Sequence, residues 1–224
     1  MGRVLPILFN GEMVREILDG RKTVTRRVCK DGNDFTIPDM SFYDSDKRTF
    51  AVHNYADKEH TDKLSIAERI CPICPGDILY VRETWTQIKD IPFWQEYFCG
   101  DTRAHPIFPD EYIYKADNIK VDGIFPDIKW RPSIHMPKQA ARIWLKVTDV
   151  RVERLQNMTG QDILQEGVNC HVHPEAHYFD GNQKMMFAEL WDSTIKKTEL
   201  YRYGWDADPW VWVVEFARCK KPEK

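Results

Sequence analysis

The stretch from Ala140 to Leu155 limits most strongly what this chain can fold into. Ile143, Leu145 and Val147 alternate with Trp144, Lys146 and Thr148, the period of a strand with two distinct faces. Val150 and Val152 resume the pattern after a one-residue shift, as a bulge produces. A strand this long needs partners on both sides, and the chain supplies candidates. Trp210-Val211-Trp212-Val213-Val214-Glu215-Phe216 reads as a core strand near the C-terminus. Ile78 to Trp85 reads as a strand buried on both faces in its first half, opened by the turn signal Pro75-Gly76-Asp77. Pro6 to Phe9 reads as a short buried strand, Thr23 to Thr25 as another, and Glu111 to Lys115 as a further short one. Many short strands and few helices, with strands near both termini, predict an α+β fold: a small β-barrel with helices packed around it.

The helices announce their ends. Asn10 can cap a helix whose face carries Met13, Val14, Ile17 and Leu18, and Gly20 closes it where positive φ is easy. Thr159-Gly160-Gln161-Asp162 reads as a capping box opening a short helix through Glu166, closed by Gly167. Gln183 to Lys197 is amphipathic, with Met186, Phe187, Leu190, Trp191 and Ile195 inward. Trp130 to Pro137 is expected to be extended, because its prolines resist helix on their N-terminal sides. Residues 28 to 70 read as a loop-rich insertion, 90 to 110 as irregular and 169 to 182 as a His-rich loop. No linker divides the chain of 224 residues, so a single domain over 1–224 is expected.

Net charge is −3, so a nucleic-acid contact would have to come from a local patch rather than a global field. No apolar run reaches the roughly 20 residues of a membrane span, and the N-terminus lacks a signal-peptide pattern. The expectation is a cytoplasmic protein with no membrane partner. Its six cysteines are expected as reduced thiols. Cys71/Cys74 and Cys170/His171/His173 have metal-binding chemistry, but neither group has a second half at ordinary spacing, so no metal and no cofactor is expected.

The densest chemistry lies in Gly20-Arg21-Lys22-Thr23-Val24-Thr25-Arg26-Arg27, where four cations and two hydroxyls follow a helix end. A solvated edge strand guarded by cations would explain such a stretch. So would one wall of a site for a polar, nucleoside-like or nucleic-acid ligand. Arg82, Glu83, Tyr80 and Trp85 could line the same cleft, an aromatic ring stacking on a pyrimidine. Ser133 and His135 could add hydrogen bonds. A buried or edge ion pair accounts for Arg82 and Glu83 equally, while Ser133 and His135 read first as a structural hydroxyl and a core histidine.

Taken in order, the Gly20–Arg27 stretch, Pro75-Gly76-Asp77 before a strand, the long strand and the short helix ending Glu166-Gly167 resemble an ASCH domain of the PUA-like superfamily. Val81-Arg82-Glu83-Thr84-Trp85, Pro132 to Pro137 and Tyr203-Gly204-Trp205-Asp206 are similar to a phage- and prophage-associated branch. The resemblance implies a barrel with a cleft for RNA or nucleosides. Some small bacterial members are amidohydrolases that deacylate N4-acetylcytidine. Carried over, their catalytic lysine, threonine and glutamate fall on Lys22, Thr25 and Glu166. Arg21, Arg26 and Arg27 beside them are expected to tune the lysine and hold the ligand. A non-catalytic RNA-binding module and an RNA nuclease are the alternatives on the same basic cleft.

Two physical conditions follow. Lys22 can activate Thr25 only if neutral, which burial and nearby arginines favour, whereas pairing with Glu166 would keep it charged. And in a regular strand Lys22 and Thr25 point to opposite faces, so the chain must break its regularity between them.

Overall fold

The computed structural model describes residues 2–29, 41–44, 49–53, 66–70, 72–87, 112–117, 128–168 and 180–223. In chain order the elements are β1 (Val4–Leu8), α1 (Gly11–Leu18), β2 (Val24–Val28), β3 (Ser41–Asp44), β4 (Thr49–His53), β5 (Ile66–Ile70), β6 (Ile78–Arg82), β7 (Trp85–Gln87), β8 (Tyr112–Tyr114), β9 (Trp144–Arg154), α2 (Gly160–Gln165), α3 (Asp180–Thr194), α4 (Leu200–Tyr203) and β10 (Trp210–Cys219). They fall into two compact units, between which the chain passes more than once.

The first unit comprises Met1–Arg3, Arg21–Asp77 and Lys146–Ala217. Here β10 lies between β9 and β2 and runs antiparallel to β2, with Val213 opposite Arg26 and Val214 opposite Thr25. Val24, Val211 and Val213 meet Leu155, Ile163, Phe187 and Trp191 in a core, with Met186, Leu190 and Ile195 packed against it. That core includes the whole predicted inner face of α3. β3, β4 and β5 form a separate antiparallel meander.

The expected closed barrel is not what forms. The described strands make open sheets, and β2 is an end strand. Phe216 N donates to Thr23 O and Cys29 N to Trp210 O, so odd-numbered residues of this stretch turn their backbone groups toward β10. The carbonyl of Val24 therefore points to the free edge, where Lys22 Nζ takes it at 2.8 Å. A cation on an edge carbonyl blunts that edge against further strand pairing.

Two local features place the short helix α2. Thr159 accepts from Asp162 N while Asp162 accepts from Thr159 N, the predicted capping box in full. Gly167 follows the helix at φ 81°, a left-handed conformation that a Cβ would strain. Thr159→Ala is expected to lower stability by about 1 kcal/mol. A displaced urea midpoint with an unchanged slope would report it.

The second unit comprises Val4–Gly20, Ile78–Leu145 and Arg218–Lys224. β1 pairs in parallel with β6, Leu5 opposite Leu79, and β7 pairs antiparallel with β8. Asn10 caps α1 by accepting from Met13 N at 2.8 Å, and Gly20 turns the chain at φ 77°. Trp85, Tyr114, Met136, Ala140, Ala141 and Trp144 form the core of this unit.

Sequence and structure differ here at three places. β6 alternates between buried and half-buried residues instead of being buried on both faces. The Pro-bounded segment is extended at Pro132, Met136 and Pro137 but tightens into a single 3₁₀ turn over Ser133–His135. Prolines at both ends leave room for only one such turn. The strand expected from Ala140 begins at Trp144, because Lys138–Ala140 forms another 3₁₀ turn.

Candidate functional site

The cations of the Gly20–Arg27 stretch are mostly not on the surface. Lys22 is 2% exposed, Thr25 1% and Arg26 2%. Arg27 is half-buried and donates to Arg26 O, and Arg21 is exposed. A bare edge of guarding cations would look different.

Glu166, 144 residues after Lys22, is what balances them. Lys22 Nζ donates to Glu166 Oε2 at 2.7 Å, to Glu166 O at 2.8 Å and to Val24 O at 2.8 Å. Three acceptors match the three N–H bonds of an ammonium. Arg26 Nη1 donates to the other oxygen, Glu166 Oε1, at 3.2 Å. Glu166 is thus a buried carboxylate divided between two buried cations, and its own position at the end of α2 comes from the capped helix described above. Thr23 N donates to Gln165 O at 2.9 Å, which ties the segment before β2 to the same helix end.

Beyond Arg26 the network continues toward solvent. Arg26 Nη2 meets Glu153 Oε1 at 2.8 Å and Asp162 Oδ1 at 3.4 Å. Arg151 bridges Glu153 at 3.3 Å and Asp162 at 3.7 Å, and also pairs with Glu215. Arg26 Nε is buried and unpartnered. The sequence reading missed Glu153, Arg151 and Glu215. Glu215 interrupts the apolar run of β10, whereas Arg151 and Glu153 fall at the polar positions of β9, where the alternation alone does not mark them.

Burial dominates the electrostatics of Lys22. Removing the ammonium from water lowers its pKa below the ordinary lysine range, Glu166 opposes this, and Arg27 and Arg26 assist it. The opposing influences anticipated from sequence are therefore both present, and burial outweighs the carboxylate.

Strand alternation puts Val24 and Arg26 on one face of β2 and Thr25 and Arg27 on the other. Lys22 lies before the strand begins, and its Nζ reaches the free edge at Val24 O.

The remaining candidates belong to the second unit and have partners there. Arg82 Nε donates to Met136 O at 2.8 Å, and its Nη2 donates to Ile134 O. Glu83, 1% exposed, is held by two hydrogen bonds from Arg142, at 2.9 and 3.0 Å, and not by its neighbour Arg82. Arg142 also holds Asp117 at 2.7 Å and stacks 4.0 Å from the Tyr114 ring centroid. Tyr80 lies 5.9 Å from Trp144, and Trp85 is buried with Arg131 over its ring. Ser133 is half-buried and His135 exposed, so His135 is not the core histidine the sequence allowed for. Arg82, Glu83 and Trp85 thus support local structure.

Glu83 yields a stability prediction. Burial raises its pKa, and Arg142 restrains the rise. Arg142→Met is expected to cost about 2–3 kcal/mol at neutral pH, the low end for a broken buried pair because the guanidinium is 25% exposed. A raised folded-state pKa means the native state holds its proton more tightly than the unfolded chain, so stability falls as pH rises through that window. The deficit of the variant should shrink on acidification, measured by urea titration at several pH values.

Cys71, Cys170, His171 and His173 lie outside the described residues. Among those described, no group of three His, Cys, Asp or Glu side chains is arranged to hold a metal ion. No described helix is long and apolar enough to cross a membrane. A scan against protein-family models finds none that matches, and searches of curated proteins and of solved structures return no match.

Proposed function

We propose that Lys22, Thr25 and Glu166 form the active centre of a metal-independent amidohydrolase of the ASCH type, acting on N4-acetylcytidine or related N4-acylated cytosine nucleosides. The observation that carries this reading is the 2.7 Å contact between Lys22 Nζ and Glu166 Oε2 in a buried setting. The ion pair and its neutral form, amine beside carboxylic acid, differ by one proton moved along that contact. Burial favours the uncharged amine of Lys22. The neutral pair would hold a base and an acid at once, and acyl transfer from an amide needs both.

Thr25 Oγ attacks the acyl carbonyl carbon and gives its proton to Lys22 Nζ. The bond from carbon to N4 breaks as Glu166 protonates N4, which releases cytidine and leaves an ester on Thr25. Water attacks the ester while Glu166 takes its proton. Lys22 returns a proton to Thr25 Oγ, the carboxylic acid departs, and the pair is again amine and acid.

A phosphate-binding role is the weaker reading of the same residues. Lys22 and Arg26 already face carboxylates, and a cation so engaged has little to offer a polyanion. The test is release of cytidine from N4-acetylcytidine, followed by chromatography under chelator. RNA retained with a steep salt dependence and no turnover would favour the binding module. RNA cleavage under the same conditions would favour a nuclease.

A further inference from the structure

The sequence suggests that Arg26 tunes Lys22 by its charge and holds ligand, yet it is among the largest fully buried side chains of the described residues. Its surroundings make ligand contact a poor description. Glu166 faces it from the end of α2, Asp162 from within α2, and Glu153 from β9. Arg151 stands behind Glu153 and Asp162 and draws on both. Lys22 shares Glu166 with it from the segment before β2, and the charge of Arg27 also reaches Lys22. A guanidinium placed for packing alone would not leave a buried Nε without an acceptor. The Nη groups reach their carboxylates and Nε does not, so the carboxylates set where this side chain lies.

The consequence falls on Glu166. Its two oxygens go to different cations, Oε2 to Lys22 at 2.7 Å and Oε1 to Arg26 at 3.2 Å. Were Arg26 absent, both oxygens would be available to Lys22, and the pair would settle as a closed ion pair.

We infer that Arg26 is a positioning residue of the site: it holds Glu166 by Oε1, so that Lys22 meets only one oxygen of a carboxylate already shared with a second cation. This rests on reading Lys22 and Glu166 as the acid–base pair. Glu153 and Asp162 compete with Glu166 for Arg26, and so tune how firmly Glu166 is held.

The test follows the titration of Lys22 by NMR of its labelled side chain, which needs no turnover. In Arg26→Met the midpoint should rise by about one pH unit, a tenfold gain in proton affinity. In Glu153→Gln it should fall, because Arg26 then holds Glu166 more tightly. Repeating Arg26→Met in a Glu166→Gln background isolates the route. If Arg26 acts through Glu166, its effect there largely disappears; an effect of full size would mean a direct charge interaction and overturn the inference. An unchanged midpoint in folded Arg26→Met would also overturn it. If that variant does not fold, Glu153→Gln carries the test, and an unchanged or raised midpoint counts against the inference. Absence of cytidine release would reject the proposed activity and leave these titrations readable, so the two failures are distinguishable.

Discussion

Glu166→Ala should destabilise the protein by about 3–5 kcal/mol, the largest stability effect expected of any single substitution in the site. The side chain it removes balances Lys22 and Arg26, both with 0% side-chain exposure. Neither cation can turn to water without opening the junction between α2 and β2. Arg26 keeps Glu153 and Asp162, whereas Lys22 loses its carboxylate and keeps the carbonyl oxygens of Val24 and Glu166. Part of the loss should be recovered in Lys22→Met/Glu166→Ala, since replacing a buried pair together costs less than stranding one partner. The coupling, measured by urea unfolding of the singles and the double, should exceed 1 kcal/mol in favour of the pair. Additive losses would mean that the ammonium finds water in the folded protein.

The second large effect is on activity and its pH dependence. Lys22→Met and Thr25→Ala should each lower kcat/KM by about 10³-fold or more, because each removes a group on which the same step depends. In the wild type the pair works while it shares one proton, so the profile should be bell-shaped. The alkaline limb reports loss of that proton from the Lys22–Glu166 pair as a unit. Since burial lowers the Lys22 pKa, this limb should lie below the ordinary lysine range. Stability follows the same sign. A lysine whose folded-state pKa is depressed imposes its full penalty at low pH, and the penalty is relieved as pH rises from the folded toward the unfolded value. Alkaline conditions within that window therefore stabilise the fold with respect to Lys22 while they strip the pair of the proton it donates to N4. A limb that coincides with free lysine would contradict the burial of this group.

How far the sequence carried these conclusions differs by residue. The helix ends were legible because capping is local: Asn10, Gly20, Thr159, Asp162 and Gly167 each act within four residues of themselves. The inner face of α3 was legible from its spacing. The pairing of Lys22 with Glu166 could be posed as a competing role, but not settled, because it depends on α2 docking at the edge of β2. Closure of the sheet was not legible. Strand count and length are the same for a barrel and an open sheet, and the difference lies in whether an end strand such as β2 finds a partner. The partner of Glu83 was missed because Arg142 is 59 residues away, whereas Arg82 is adjacent in sequence and turns instead to carbonyls. Asp77 is a similar case. It closes the turn after Pro75 and accepts from Cys74 N, as local chemistry suggests, but it also holds Arg3 at 2.8 Å across 74 residues.

The most direct measurement is cytidine release from N4-acetylcytidine by the wild type, Lys22→Met and Thr25→Ala, each shown to be folded by its unfolding transition. The account predicts turnover by the wild type in the presence of chelator and losses of about 10³-fold or more in both variants. Turnover that survives both substitutions, or none in the folded wild type, would contradict it.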